Sequence, residues 1–173
     1  MDLLLRQWKE TDLEPYLAMN ADPEVMRYFP ALLSRDESIA SFERLRRAID
    51  QRGWGVWAVE VDGAFAGLCG LNSPSFDAPF MPCTEILWRF RPEFWGCSLG
   101  YRAALKALDF GFQTLKLREI VSFTAAINLR SRKLMERLQF QRDLNGDFEH
   151  PSIAVGHPIR LHVLYRLFHP ASS

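Results

Sequence analysis

The chain has 173 residues, and its 21 basic and 21 acidic side chains cancel to a formal net charge of zero. That length suits a single domain over residues 1–173, and a composition of 48% apolar and 24% charged residues excludes a disordered chain. Neutrality argues against nucleic acid or an anionic membrane as partner, and no stretch approaches the roughly 20 apolar residues of a membrane span.

In chain order, Leu3, Leu4 and Leu5 open a first strand. Thr11 and Glu14 form a T-x-x-E capping box that should start a short helix, and Asp22-Pro23-Glu24 reads as a second helix start. Ser34 and Glu37 make another capping box, followed by Ile39, Phe42, Leu45 and Ile49 at helical spacing and by Gly53 as a stop. Residues 56–61 and 64–71 read as strands joined at Asp62-Gly63, a strong hairpin signal. Residues 72–82 hold three prolines and form a loop, and residues 83–90 are a strand closed by Arg91-Pro92. Leu99, Ala103, Ala107, Leu108, Phe112 and Leu115 mark an amphipathic helix over 99–115. A strand at 120–124, a helix at 128–138 and a strand beginning at Phe140 follow. Residues 143–160 read as a long polar loop before a last strand with Leu161, Val163, Tyr165 and Leu167. This order predicts an α/β fold: a mixed, mostly antiparallel central sheet of about seven strands with helices on both faces. The strand-helix-strand unit in the middle should give one parallel pair with a right-handed crossover.

Cys69, Cys83 and Cys97 are odd in number and lack metal-site spacing, so they read as reduced thiols and no metal is expected. Residues 1–8 have neither the basic nor the apolar region of a secretory signal, which points to the cytoplasm.

The strongest chemical signal is Arg91-Pro92-Glu93-Phe94-Trp95-Gly96-Cys97-Ser98-Leu99-Gly100-Tyr101. Here a loop of small residues leaves a strand and opens a helix, whose first amides have no partner inside the helix. With the helix dipole they make an anion site suited to a pyrophosphate. Gly96, Ser98 and Gly100 would let a phosphate approach the backbone. The alternative is a strand-to-helix turn that simply needs small residues. No G-K-[ST] follows, so the loop is not a Walker loop, and the third Gly of a dinucleotide fingerprint is missing.

The same segment and its surroundings resemble the GNAT acyltransferase superfamily, in its RimJ/RimL-like branch. That branch shows a strand, a "W-G-x-G-Y-A" loop and a helix ending "D-Y-G-F". Here these are Thr84-Glu85-Ile86-Leu87-Trp88, then Trp95-Gly96-Cys97-Ser98-Leu99-Gly100, then Asp109-Phe110-Gly111-Phe112. Asn128-Leu129-Arg130-Ser131 matches the family's N-x-x-S, and Met135-Glu136-Arg137-Leu138-Gln139-Phe140 its "M-E-R-L-G-F". Leu5-Arg6-Gln7-Trp8 and Ala21-Asp22-Pro23-Glu24-Val25-Met26 also fit, so the resemblance spans nearly the whole chain. Two departures stand out. Ser98 replaces a usual Gly in the loop, and Gln139 replaces the Gly after the last helix, a left-handed cap position.

The resemblance implies acetyl-CoA as donor and an amine as acceptor, with the protein a monomer or homodimer. The pantetheine arm would lie along Ile86, Leu87 and Trp88 like an added strand. Trp95, Gly96, Cys97, Ser98, Leu99 and Gly100 would hold the pyrophosphate, and Asn128 would touch the arm or cap its helix. An N–H near Leu87 would steady the oxyanion. Met135 stands where many members have a tyrosine acid, which leaves Ser131 as acid or as a structural serine. At pH 7, freeing an α-amine of its proton costs about 1 kcal/mol and freeing a lysine about 4.6 kcal/mol. A carboxylate relay therefore suffices for an α-amine. Glu85 is the first choice, unless it is paired with an arginine, and Glu149 with His150 is the second. A module that binds CoA with little catalysis is the competing reading.

Overall fold

The apolar run Leu3, Leu4 and Leu5 forms β1 (Leu3–Arg6), the edge of the sheet. A short turn over Glu10–Asp12 then leads into α1 (Leu13–Asn20). This differs from the cap expected at Thr11. Asp12, buried and ion-paired to Arg6, accepts the Lys9 N–H at 2.8 Å and closes the turn instead. Asp22 does act as a cap, accepting from the Glu24 and Val25 amides at 2.8 and 3.3 Å. Yet residues 23–29 remain a series of turns, because so short a segment before Pro30 cannot propagate a helix. The Ser34–Glu37 box opens α2 (Arg35–Arg52), and Gly53, at φ 75°, ends it.

The computed structural model, which describes residues 2–169, then runs through β2 (Val56–Val61), β3 (Ala64–Asn72) and β4 (Glu85–Phe90). Next come α3 (Leu99–Asp109), β5 (Glu119–Ala125), α4 (Leu129–Arg137), β6 (Gln141–Glu149) and β7 (Leu161–Phe168). The seven strands are ordered β1-β2-β3-β4-β5-β7-β6, and every neighbouring pair is antiparallel except β4–β5.

Two expectations need correction. The helix expected over 99–115 is α-helical only to Asp109, and Phe110–Thr114 widens into a π turn, with the Leu115 amide bonded to the Phe110 carbonyl. Much of the stretch 143–160 is strand rather than loop. β6 reaches Glu149, and a bulge between Asp143 and Phe148 breaks its alternation. As an edge strand it is also polar, so its sequence looked like a loop.

The sheet has two distinct faces. Leu71, Ile86 and Ile120 lie on the face covered by α3 and its π turn, since a Cβ at Gly111 in that turn would touch Leu71 and Ile120. By alternation Glu85, Leu87 and Arg89 face the other way, and Arg89 Nη1 donates to Asn20 Oδ1 at the end of α1 at 2.7 Å. α4 joins α3, and a Cβ at Gly100 would meet Leu134 at 3.1 Å.

Candidate active site

The parallel pair β4–β5 supplies the cleft. Its strands register only at Glu85 and Val121, where the Val121 amide donates to the Thr84 carbonyl at 2.9 Å. One further bridge, from Ser122 Oγ to the Ile86 carbonyl at 3.1 Å, closes the narrow end. Beyond it no ladder joins the strands. Thr84 and Ile86 present their carbonyls to β5 and Arg91 bonds to Ala66 on β3, so period-two alternation turns the main-chain groups of Trp88 into the gap. The main-chain amide that faces the gap near Leu87 is therefore that of Trp88, because the Leu87 groups face Gly70 on β3.

At the open end, a turn over Pro92–Phe94 delivers the chain to Trp95, whose indole N–H bonds the Phe90 carbonyl at 2.9 Å. Gly96 (φ 81°) and Ser98 (φ 59°) are both left-handed and exposed. The first bond inside α3 runs from the Arg102 amide to the Ser98 carbonyl at 3.1 Å. The Leu99, Gly100 and Tyr101 amides thus precede any helical acceptor, and no side chain caps them. At Gly100 a Cβ would press on Leu134 and Phe90 at 3.1 and 3.2 Å, so packing too favours glycine there. A Cβ on Gly96, in contrast, would meet nothing within 4 Å. Two arginines of α4 overhang this loop. The Arg130 guanidinium lies 4.1 Å from the Trp95 ring centroid. The Arg137 guanidinium lies 4.1 Å from that of Tyr101 and donates to Ser98 Oγ at 3.2 Å. Cys97 Sγ donates to the Phe94 carbonyl at 3.0 Å and so helps to shape the turn.

Asn128 caps α4, with Oδ1 accepting from the Ser131 amide at 3.2 Å and Nδ2 donating to Thr124 Oγ1 at 3.0 Å. Ser131 Oγ makes no hydrogen bond within the described chain. Met135 is 1% exposed.

On the opposite face, Glu85 is buried with no arginine beside it. Its one partner is Asn72, whose Nδ2 donates to Oε1 at 2.8 Å. Burial pushes its carboxyl up to about 7, and the Asn72 bond holds it from rising further. Glu149 is exposed and paired to Arg160 at 2.9 Å. His150 enters a cluster of rings with Phe76, Phe80, Phe123, Phe148 and His162. Burial lowers both imidazoles, that of His162 to about 4. His150 is thus a weaker base than Glu85, and Glu149 is taken up by Arg160. His157 Nδ1 accepts the Ile159 amide at 3.3 Å within its own loop. Asn72, Ser122, Arg130 and Arg137 carry no local signal of these roles in the sequence, because each acts on a partner distant along the chain. Among the described residues no group of His, Cys, Asp or Glu could hold a metal.

Residues 2–141 match the family model of the acetyltransferase (GNAT) domain. The chain belongs to the GNAT family. It carries an acetyltransferase (GNAT) domain. It is 30% identical over 129 residues to the FsC-acetyl coenzyme A-N(2)-transacetylase of Aspergillus fumigatus, covering 69% of this chain and 54% of that protein. The chain thus spans about half the length of that fungal GNAT relative. It is 23% identical over 142 residues to the N-acetyltransferase YnaD of Bacillus subtilis, covering 82% of this chain and 80% of YnaD. Its GNAT fold matches that of a spermidine N-acetyltransferase from Vibrio cholerae in complex with CoA and spermine. That match has a TM-score of 0.75 and 20% identity over 96% of this chain and 95% of the other. Mycobacterium smegmatis RimJ, in complex with CoA-disulfide, matches with a TM-score of 0.76 and 18% identity over 98% and 83%.

Proposed function

We propose that this GNAT domain, of the RimJ/RimL-like branch, moves the acetyl group of acetyl-CoA directly to a primary amine. The acceptor is a small amine or a protein N-terminal α-amine. The observation that carries this reading is Glu85, a buried carboxyl beside the cleft with no cation to hold it ionised. A base with a pKa near 7 is matched to proton removal at neutral pH.

The pyrophosphate sits on the outward amides of Leu99, Gly100 and Tyr101, flanked by Arg130 and Arg137. The pantetheine arm runs down the gap, where the main chain of Trp88 has no partner on β5. The amine nitrogen forms the new N–C bond while the C–S bond breaks. Glu85 receives the amine proton, the Trp88 amide faces the developing oxyanion, and Ser131 Oγ, unbonded among the described residues, donates a hydrogen bond to the departing thiolate, which leaves as the CoA thiolate and takes its proton from water. No helix among the described residues is long and apolar enough to cross a membrane, and the three unpaired cysteines suit a reducing cytoplasm.

The test is release of free CoA thiol from acetyl-CoA across a panel of primary amines, with Glu85→Gln beside the wild type. Turnover that depends on the amine and falls in the variant supports the reading. Tight acetyl-CoA binding without turnover for any amine would replace it with the donor-binding module.

A further inference from the structure

The face of β4 that carries Glu85 and Leu87 continues, one pleat on, to Arg89. About 7 Å of strand separates successive residues of one face. Arg89 is partly buried, and among the described residues it has no carboxylate partner. Its Nη1 reaches Asn20 Oδ1 at 2.7 Å and Met26 Sδ at 3.1 Å, and its guanidinium lies 4.8 Å from the Phe29 ring centroid. Its Nε is buried and has no hydrogen-bond partner at all. Such an orphaned donor on a cation needs an explanation.

A cavity of about 290 Å³ opens on Arg89, between α2 and the turns that precede it. Arg44 lines it too, bonded only to the neutral Ser41 hydroxyl at 3.1 Å. The one acidic side chain on its wall, Glu37, is committed to the Ser34 amide at 2.7 Å. Phe29 and Leu32, 41% and 47% exposed, give it an apolar side. Two other arginines of α2 are neutralised, Arg35 by Glu14 and Arg46 by Glu10. Two cations with no ion pair among the described residues therefore converge on one hollow, two pleats along β4 from the proposed base.

We infer that this cavity binds a carboxylate of the acceptor, held by Arg89 and Arg44, so that the substrate is an amine joined to a carboxylate by a short carbon chain. This rests on the amine-acetylating reading above. The amine lies at Glu85 and Leu87, the carbon chain against Phe29 and Leu32, and the carboxylate completes the free donors of Arg89. A guanidinium fork suits a carboxylate in both charge and shape. A polyamine brings its second cation to the same arginines and is disfavoured.

That chemistry has two sources, a free amino acid and an acidic residue at a protein N-terminus. Matched acceptor pairs separate them: γ-aminobutyrate against n-butylamine, and peptides identical except for Glu or Gln at the first position. Turnover is measured for each, and binding of each to the CoA-loaded protein is followed by calorimetry, with spermidine as the cationic control. We expect at least a tenfold preference in kcat/KM for the carboxylate member of one pair or the other. In Arg89→Met that ratio should collapse towards one, and Arg89→Lys should restore part of it. Arg44→Met, at an exposed position, should reduce the ratio severalfold and guards against a folding defect at Arg89. Equal or reversed preference in both pairs, or a preference that survives both methionine variants, overturns the inference. Turnover without a carboxylate preference leaves acetyl transfer standing and removes the anion site. Arg89-dependent carboxylate binding without any turnover does the reverse.

Discussion

The proposed donor end and the proposed acceptor face of this molecule offer a ligand opposite things. At the donor end the groups that would meet the ligand are main-chain amides of a helix start and of one strand, and the loop around them is exposed. On the acceptor face the groups are side chains drawn out of water: Glu85 raised to about 7, His162 lowered to about 4, and Arg89 with an unbonded Nε. Main-chain recognition tolerates side-chain change as long as the backbone keeps its path. Side-chain recognition in a buried setting does not, because each group is tuned by its neighbours. Sequence drift should therefore leave donor use intact and alter the choice of acceptor.

The sharpest break of that contrast is Glu85→Gln. It should lower kcat by about 10²–10⁴, the usual range for a general base, with acetyl-CoA affinity changed less than about threefold by calorimetry. In the wild type, kcat/KM should rise with pH along a limb centred at about 7, and that limb should vanish in the variant. The stability of the same group carries a definite sign. Its folded pKa lies above its ordinary value of 4.5, so its favourable contribution is full below 4.5 and is lost as pH rises through about 7. Glu85→Gln should therefore gain stability over the wild type above pH 7.

Next comes Gly100→Val, which separates packing from phosphate contact. The new side chain meets Phe90 and Leu134, and chemical denaturation should show a loss of about 1–3 kcal/mol, the cost of overpacking. A change in donor affinity with no change in stability would return Gly100 to the phosphate.

A smaller effect tests the ring cluster. His162 is held neutral by burial, so it contributes fully above pH 6.5 and its contribution is lost as pH falls through about 4. The groups facing it are His150 and the Arg160 carbonyl, with Phe123 and Phe148 around them. His162→Phe should flatten the acid side of the melting-temperature profile between those two pH values.

The least change is expected at Gln139→Gly. Gln139 sits at φ 68°, where the Gln139 amide bonds the Glu136 carbonyl and the Phe140 amide bonds the Met135 carbonyl, both at 3.0 Å. This is a Schellman ending in which glycine is favoured. Relief of about 1 kcal/mol should appear as a higher melting temperature with unaltered kinetics.

Elements with a local cause were readable in the sequence. The Ser34–Glu37 box, the Asp62-Gly63 hairpin and the Asn128 cap each form from residues within three positions of one another. The left-handed positions at Ser98 and Gln139 were legible as departures from glycine. What depends on distant partners was not. Asp12 left the expected cap because of Arg6, β6 was hidden by its bulge, and the cavity at Arg89 exists because α2 returns over a strand 45 residues away from Arg44. Glu85 was readable as a carboxylate on a strand, but its burial and its single partner Asn72 were set by the pairing of β3 with β4.

The single parallel seam has a mechanical side. The half-sheets β1–β4 and β5–β7 are stitched by the Val121–Thr84 and Ser122–Ile86 bonds and by the π turn after α3, where Gly111 lies close to both Leu71 and Ile120. A strand-like ligand in the gap would act as a splice across that seam. With donor bound there, the two halves should bear load as one plate. Without it, heat or pulling force should part the protein there first, each half keeping its own ladder.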